Sequence, residues 1–452
     1  MREGLRAQLW PLPTLGVALA IVAGVGLPVL DGRTQHDIPS WLRAYLFGGS
    51  PDAARSVLAA IAGSMVTVTA LTFSLTVVTL QLASSQFSPR LLRTFTADRY
   101  VQATLALFLA TFTFALTVLR TVRTGDDGQV GFVPQSSVTV AFVLTLASVL
   151  ALVLFLSHLA REIRIETMMS SVHSAADRTI HRLLGEKPDL TGEVSAKGTS
   201  DVAPPAPVPP ADVLTLTVAV SGFLISVDEA ALLKAAVETD ALVHIDRHPG
   251  SSLIADTPVG AAWPRAGKPF TSGTRTRLVE EVSRAVRTGA ERTDLQDVAF
   301  GLRQLTDIAV KALSPGINDP TTAVHALSHS SALLCGLARR DLGPRLLRDE
   351  HEQIRVVLRR PDLEDLLDVA VDQPLRYGAA EPAVLARIAM LLRELAWCSE
   401  STRHPPITAA LARLRSTIDA QDLHASERLR LTVLAEHVDE ALTGRWAQAR
   451  RP

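Results

Sequence analysis

Residues 56–89 read SVLAAIAGSMVTVTALTFSLTVVTLQLASSQFSP, 34 positions without Asp, Glu, Lys or Arg between Arg55 and Arg90. A bilayer core is about 30 Å thick and takes about 20 apolar residues to cross. As one helix this run extends about 51 Å at 1.5 Å per residue, so it tilts steeply in the membrane or projects beyond it. It is also polar for a span. At 100° per residue its hydroxyls and amides fall on two opposed stripes. One holds Thr69, Thr72, Thr76, Thr79 and Gln86; the other holds Thr67, Ser74, Gln81, Ser85 and Ser88. Such a stripe either lines a water-filled path or packs, because Ser and Thr are common between membrane helices and bond their own backbone. Both readings stand at this level. A buried amide in lipid is costly, which weighs Gln81 and Gln86 toward function, although both lie near the cytoplasmic end of the run.

Working outward, three more runs reach spanning length: Pro11–Leu30, Tyr100–Leu119, and a stretch between Asp127 and Arg161 with its apolar core at Val138–Leu156. Residues 1–160 carry 10 Arg and 7 acidic residues; the remaining 292 carry 35 basic and 39 acidic. The first third of the 452-residue chain is therefore membrane-like and the rest reads as soluble. A cleaved signal peptide is the alternative for the first run, but no small-x-small site closes it. With the N-terminus inside, nine Arg near the segment ends fall on the cytoplasmic side (Arg2, Arg6, Arg90, Arg93, Arg99, Arg161, Arg164, Arg178, Arg182) and five outside (Arg33, Arg43, Arg55, Arg120, Arg123). The positive-inside rule then puts both termini in the cytoplasm. Ala20 with Gly24, and Ala59 with Gly63, are small pairs at spacing four that permit close helix contact. The spans lack Asp, Glu, Lys and Arg, which counts against a proton-coupled pump or a voltage sensor. His158, deep in the fourth run, reads as interfacial.

Beyond the fourth run, Ile163, Met168, Met169, Val172, Ala176 and Ile180 form a stripe expected to continue the helix out of the membrane. Residues 1–185 thus make a four-span domain with a helical extension. Residues 186–212 are rich in Pro, Ala, Ser and Thr without periodicity, and read as a flexible linker. Residues 213–270 form a small β-rich module, with strands at Val213–Val220, Phe223–Val227, Ala241–Ile245, Ser252–Ile254 and Val259–Trp263 and a helix at Glu229–Glu238. A biotin or lipoate carrier would need a lysine at a hairpin tip, and Lys234 and Lys268 sit in no such turn. Residues 274–452 are helical by pattern, with helices expected at Thr276–Thr288, Asp294–Ala312, Thr321–Arg339, Gln353–Leu358, Leu363–Val371, Pro382–Cys398, Ile407–Ile418 and Ser426–Trp446. The fold class is an α-helical polytopic membrane protein with four transmembrane helices and a cytoplasmic α+β domain, a small β module followed by a helical bundle.

Few residues carry chemistry. The net charge of −1 argues against a nucleic-acid partner. Cys335 and Cys398 are too few for a disulfide scaffold or a four-cysteine zinc site; on apolar helix faces they read as packing. His325 and His329, at i and i+4, are metal-compatible, but two ligands do not make a site, so no metal or cofactor is expected. Phosphate-loop, dinucleotide and nucleophile-elbow motifs are absent. One loop stands out: Lys311 to Ala323, KALSPGINDPTTA. Pro315-Gly316 makes a tight turn. Asp319 before Pro320 is a strong helix start, with Asp as N-cap and Pro at the first helical position. It is either a corner between helices or an anion or nucleotide contact at the exposed N–H groups of the helix that follows Ser314, Gly316 and Asn318, with Asp297, Arg303, Asp307 and Lys311 adding charge from the preceding helix.

Leu71–Arg90, LTFSLTVVTLQLASSQFSPR, and the SPGINDP string resemble the bacterial predicted-membrane-protein family known as domain of unknown function 2254. The order of parts matches as well: four spans, a β-containing piece whose strand turn runs here from Ser221-Gly222-Phe223 to Asp228, then the SPGINDP loop. The resemblance covers about residues 10–440. It implies a bacterial plasma (inner) membrane location and adds no substrate and no catalytic residue.

Two functions are expected from these readings. The first is a homo-oligomeric channel or pore for a small ion, with the second span lining the path and the cytoplasmic domain gating it. One polar helix among four rarely encloses a path alone, hence the oligomer. The second is a membrane-anchored regulatory or scaffolding protein that binds a partner or small ligand at the SPGINDP corner. An enzyme is not expected, since no nucleophile–base or metal set is visible.

Overall fold

The computed structural model describes residues 10–34, 46–86, 98–123, 132–162, 164–185, 210, 213–265 and 269–446. It divides into two compact units, Met1–Thr167 and Met168–Pro452. The linker expected at 186–212 lies outside the described residues apart from Pro210, as do Ile163, Ser88 and the side chains of Ser85 and Gln86.

Among the described residues of the first unit four helices are long and apolar enough to cross a membrane: α1 (Pro11–Thr34), α2 (Pro51–Gln86), α3 (Arg99–Leu119) and α4 (Gln135–Glu162). Each overlies one charge-free run. α2 has 36 residues, about 54 Å of helix. It starts earlier than its uncharged run because Pro51 suits the first helical position and Asp52 the positive end of the helix dipole. α3 is the most enclosed of the four and is packed by α1, α2 and α4. Small residues bring α1 onto it. A Cβ at Gly24 would lie 2.8 Å from Thr117 Cβ, a Cβ at Gly16 would lie 3.1 Å from the Ala106 carbonyl oxygen, and Ala20 between them is buried. The expected Ala20/Gly24 contact is made. The Ala59/Gly63 pair is exposed instead, and a Cβ at Gly63 would meet open space. Gly24→Leu will push α1 off α3, at about 1–3 kcal/mol for an overpacked site. A lowered unfolding temperature of the purified protein is expected; an unchanged one would contradict this packing.

Polar ties hold the helix ends. The Asp31 carboxylate, buried near the end of α1, accepts from the amide and hydroxyl of Ser137 at 3.0 and 2.8 Å and so caps the start of α4. Thr111 and Ser148 share a hydroxyl hydrogen bond of 3.0 Å between α3 and α4. Asp98 caps α3 through the Tyr100 amide at 2.8 Å, and its other oxygen meets His158 Nε2 at 2.6 Å. His158 also packs on the Tyr100 ring. The lone histidine of α4 therefore has a defined acidic partner at the start of α3.

In the second unit α5 (Ile165–Leu184) buries Met168, Met169, Val172, Ala176 and Ile180, the stripe expected from sequence. It is a helix of its own, since α4 ends at Glu162. The next elements are β1 (Leu214–Thr217), β2 (Gly222–Val227), α6 (Glu229–Glu238), β3 (Ala241–Ile245), β4 (Ser252–Leu253), β5 (Pro258–Pro264), α7 (Ser272–Ala285) and β6 (Val286–Gly289). Then come α8 (Phe300–Ala312), α9 (Pro320–Leu337), β7 (Arg345–Arg348), β8 (Ile354–Leu358), α10 (Leu363–Tyr377), α11 (Pro382–Cys398), α12 (His404–Ala420) and α13 (Ala425–Leu442).

The strands form two sheets, β1-β5-β3-β8-β7 and β4-β2-β6. Three expectations are corrected here. Gln353–Leu358 is not helical: Ile354–Leu358 is a strand, parallel to β3 with Val243 opposite Val356. Arg355 interrupts the apolar residues Ile354 and Val356–Leu358 of this strand, and over six residues periodicity does not separate it from helix. The helix expected to reach Thr288 stops at Ala285, and 286–289 pair with β2. The helix expected from Asp294 starts at Phe300. The β module is thus completed by strands from beyond its own stretch of chain. Its core sets Leu216, Val243, Ile245, Ala262, Val356 and Leu358 beneath Leu232 and Ala236 of α6 and Leu278 and Val282 of α7.

Candidate functional site

The two polar stripes of α2 meet different surroundings. Thr72, Thr76 and Thr79 are buried and Thr69 is half-buried. Each donates its hydroxyl to the carbonyl four residues back, at 2.6–2.8 Å. Those hydroxyls are satisfied by their own helix, so the stripe packs at no cost in unpaired polar groups. The opposite stripe is turned outward. Thr67, Ser74 and Gln81 are exposed, in line with exposed Ser56, Gly63 and Ala70. Six small or polar residues thus share one outward strip, flanked by the exposed bulky side chains of Val66, Leu71, Phe73 and Val78.

The other spans differ. α1 turns Leu15, Leu19, Val22 and Val25 outward, and α4 turns Phe142, Leu146, Leu150 and Val153 outward. Such faces suit lipid tails directly. The strip on α2 does not, because Gln81 would leave its amide without partners in hydrocarbon.

In the second unit the SPGINDP corner joins α8 to α9. Its tip, Pro315 to Asn318, is exposed, with Ile317 40% exposed. The backbone closes on itself: the amides of Ile317 and Asn318 donate to the Ser314 carbonyl at 3.0 and 2.9 Å, and the Asp319 amide donates to the Ala312 carbonyl at 2.8 Å. Asn318 has φ +51°, a left-handed conformation that Asn tolerates better than most residues. Asp319 caps α9 as its sequence predicts, accepting from the Thr322 amide at 3.1 Å and hydroxyl at 2.6 Å. The Thr322 hydroxyl and amide hold the Asp319 carboxyl below the usual carboxylate range. A carboxylate of the chain thus sits at the amide that an incoming anion would use. Arg303, Asp307 and Lys311 lie one turn apart along a half-buried face of α8.

Of the histidines considered as ligands, His325 is exposed and His329 packs at a tilt on His173 of α5, with ring centres 5.2 Å apart. Burial first, and then the neighbouring His173 and His325, lower the His329 pKa. Among the described residues, no three His, Cys, Asp or Glu converge on a metal position.

Asp297, expected to add charge to the corner from the preceding helix, lies before that helix begins at Phe300 and is buried in a pair of its own. Asp297, with a side chain 1% exposed, takes both Nε (2.9 Å) and Nη2 (2.6 Å) of Arg292 on Oδ2, and the Ala299 amide on Oδ1 at 3.1 Å. Burial outweighs Arg292 and pushes the Asp297 carboxyl up. The turn at 248–251 lies against this pair: Gly250 has φ +92°, and a Cβ there would lie 2.2 Å from Asp297 Oδ2. Gln296 pairs with the Val227 amide at 2.8 Å and carbonyl at 3.2 Å, as a neighbouring strand would. Residues 292–297 therefore fasten β2 and its turn to the start of α8, whose far end is the SPGINDP corner. The available signal was the polar stretch Glu291–Asp297, which ends abruptly at an apolar helix.

Comparison with known proteins agrees with a membrane protein. The family model "Predicted membrane protein (DUF2254)" matches residues 6–394. Two relatives, the uncharacterized proteins Mb1321c of Mycobacterium bovis and Rv1290c of Mycobacterium tuberculosis, are each 35% identical over 441 residues, covering 97% of this chain and 81% of theirs. No solved structure matches.

Proposed function

The chain belongs to this family of predicted membrane proteins, and we propose that it is an oligomeric channel or pore in a bacterial plasma membrane, with α2 lining the path and the soluble unit gating it from the cytoplasm. The observation that carries this reading is the outward strip of α2, Ser56, Gly63, Thr67, Ala70, Ser74 and Gln81, beside bulky apolar faces on α1 and α4. Copies that gather these strips around an axis cover them from lipid and give Gln81 water or a partner amide. Ser74 and Gln81 remain as lining residues, joined by Thr67; Ser85 and Gln86 continue the helix toward the cytoplasmic end. Thr69, Thr72, Thr76 and Thr79 become packing residues of the single chain.

Salt-dependent ion flux into liposomes carrying the purified, assembled protein tests the proposal. Flux above that of empty liposomes is expected; its absence across several salts, pH values and osmotic gradients would overturn it. The second reading, a membrane-anchored scaffold or ligand sensor, draws on the exposed tip Pro315–Asn318 and takes precedence in that outcome.

A further inference from the structure

Cys335 and Cys398, far apart in sequence, come together in the second unit. Cys335 is in the last turn of α9, the helix that begins at the SPGINDP corner, and Cys398 ends α11, which packs against it. Both are free and half-buried. Arg339, one turn beyond Cys335, places Nη2 3.3 Å from Cys398 Sγ. The charged neighbour of opposite sign, Glu394, is engaged by Arg387 at 2.9 and 2.7 Å and by the Ser331 hydroxyl. Two apolar packing residues would not need a guanidinium on one sulfur.

We propose that Cys335 and Cys398 form a dithiol site that reacts with hydroperoxides, with Cys398 as the attacking thiol and Cys335 as the one that resolves it to an intramolecular disulfide. The hydrogen bond from Cys335 and the adjacent Arg339 bring the Cys398 thiol down to about 6, against the opposing effect of burial. Cys398 is thereby shifted toward the thiolate, the nucleophilic form. The same hydrogen bond, together with burial, pushes Cys335 up.

These opposite shifts order the steps. The Cys398 thiolate attacks one peroxide oxygen and the O–O bond breaks. Cys398 becomes a sulfenic acid, and the departing hydroxide, or the alkoxide of an organic hydroperoxide, takes up the proton that Cys398 had released and leaves as water or alcohol. The negative sulfur that held the Cys335 proton is then gone. Cys335 loses that proton and attacks the Cys398 sulfur; the S–O bond breaks, and hydroxide leaves with the proton as water. Two thiols are oxidised and one peroxide is reduced.

The test treats the full-length protein in detergent with one equivalent of hydrogen peroxide, then alkylates it and measures intact mass and linked peptides. Wild type is expected to lose two hydrogens and yield one peptide pair joined through Cys335 and Cys398 within a single chain. Cys335→Ser should instead gain one oxygen at Cys398, trapped by dimedone. Cys398→Ser should lose both products, and Arg339→Met should slow the reaction while its disulfide, once made, stays intact. Any of three results would overturn the proposal: wild-type thiols that remain fully alkylatable, Cys398 in Cys335→Ser reacting no faster than Cys335 in Cys398→Ser, or a disulfide joining two chains.

Discussion

Replacing Arg292 by alanine will destabilise the second unit by about 3–5 kcal/mol at neutral pH, the usual cost of stranding one partner of a buried ion pair. Asp297 is almost wholly enclosed and would keep a single donor, the Ala299 amide. Asp297→Asn will cost less, because Arg292, whose side chain is 19% exposed, can turn to water. The pH dependence has a defined sign. Burial raises the folded-state pKa of Asp297 above its ordinary value. Stability linked to such a group is present in acid and lost as pH rises through the folded value. In Arg292→Ala the raising effect of burial acts without its main opponent, so the defect will be largest at neutral pH and will shrink in mild acid as Asp297 takes up a proton. Thermal unfolding at the two pH values checks this; an Arg292→Ala protein as stable as wild type would remove the latch from the account.

The second large effect is on conduction. Ser74→Leu and Gln81→Leu put bulk and apolar surface on the outward strip of α2. Each will lower flux by about tenfold or more, an added barrier of at least about 1.4 kcal/mol. Thr76→Val is the contrast. Its hydroxyl is spent on the Thr72 carbonyl at 2.8 Å and faces into the chain, so a side chain of similar shape will leave flux near wild type. Equal losses in all three variants would place the effect in folding instead of in the path. Each variant is compared only after its assembly matches that of wild type.

The four spans were legible because a lack of charge over 20 or more residues has few other meanings. The strands Phe223–Val227 and Ala241–Ile245 and the helix Glu229–Glu238 were legible from their patterns, and the structure adds Asp228 as the helix cap, accepting from the Ala231 amide at 3.0 Å. The cap at Asp319 was legible because Asp precedes Pro at a helix start. β8 was not, since a short apolar run acquires its conformation from the strand beside it, here β3 more than 100 residues earlier in the chain. The orientation of α2 was not legible either. Geometry alone gave two polar stripes, and only the packing of α3 against α2 decides which one is enclosed. Cys335 and Cys398 looked like packing because neither position names its neighbour across 63 residues of chain; Asp297 read as a charge for the corner because its buried partner Arg292 is set by the fold. Pairings of this kind belong to tertiary structure, where burial changes what a charge or a thiol does.

The most direct test of the central claim is whether Ser74 faces water in the assembled protein. Ser74→Cys in a Cys335→Ser/Cys398→Ser background, reconstituted in liposomes, would be exposed to a membrane-impermeant charged thiol reagent, with Val22→Cys on α1 as the lipid-facing reference. If α2 lines a path, Cys at 74 will be modified and flux will fall with the same time course, while Cys at 22 stays unmodified. Position 74 as unreactive as position 22, in protein that is correctly inserted and assembled, would contradict the channel reading.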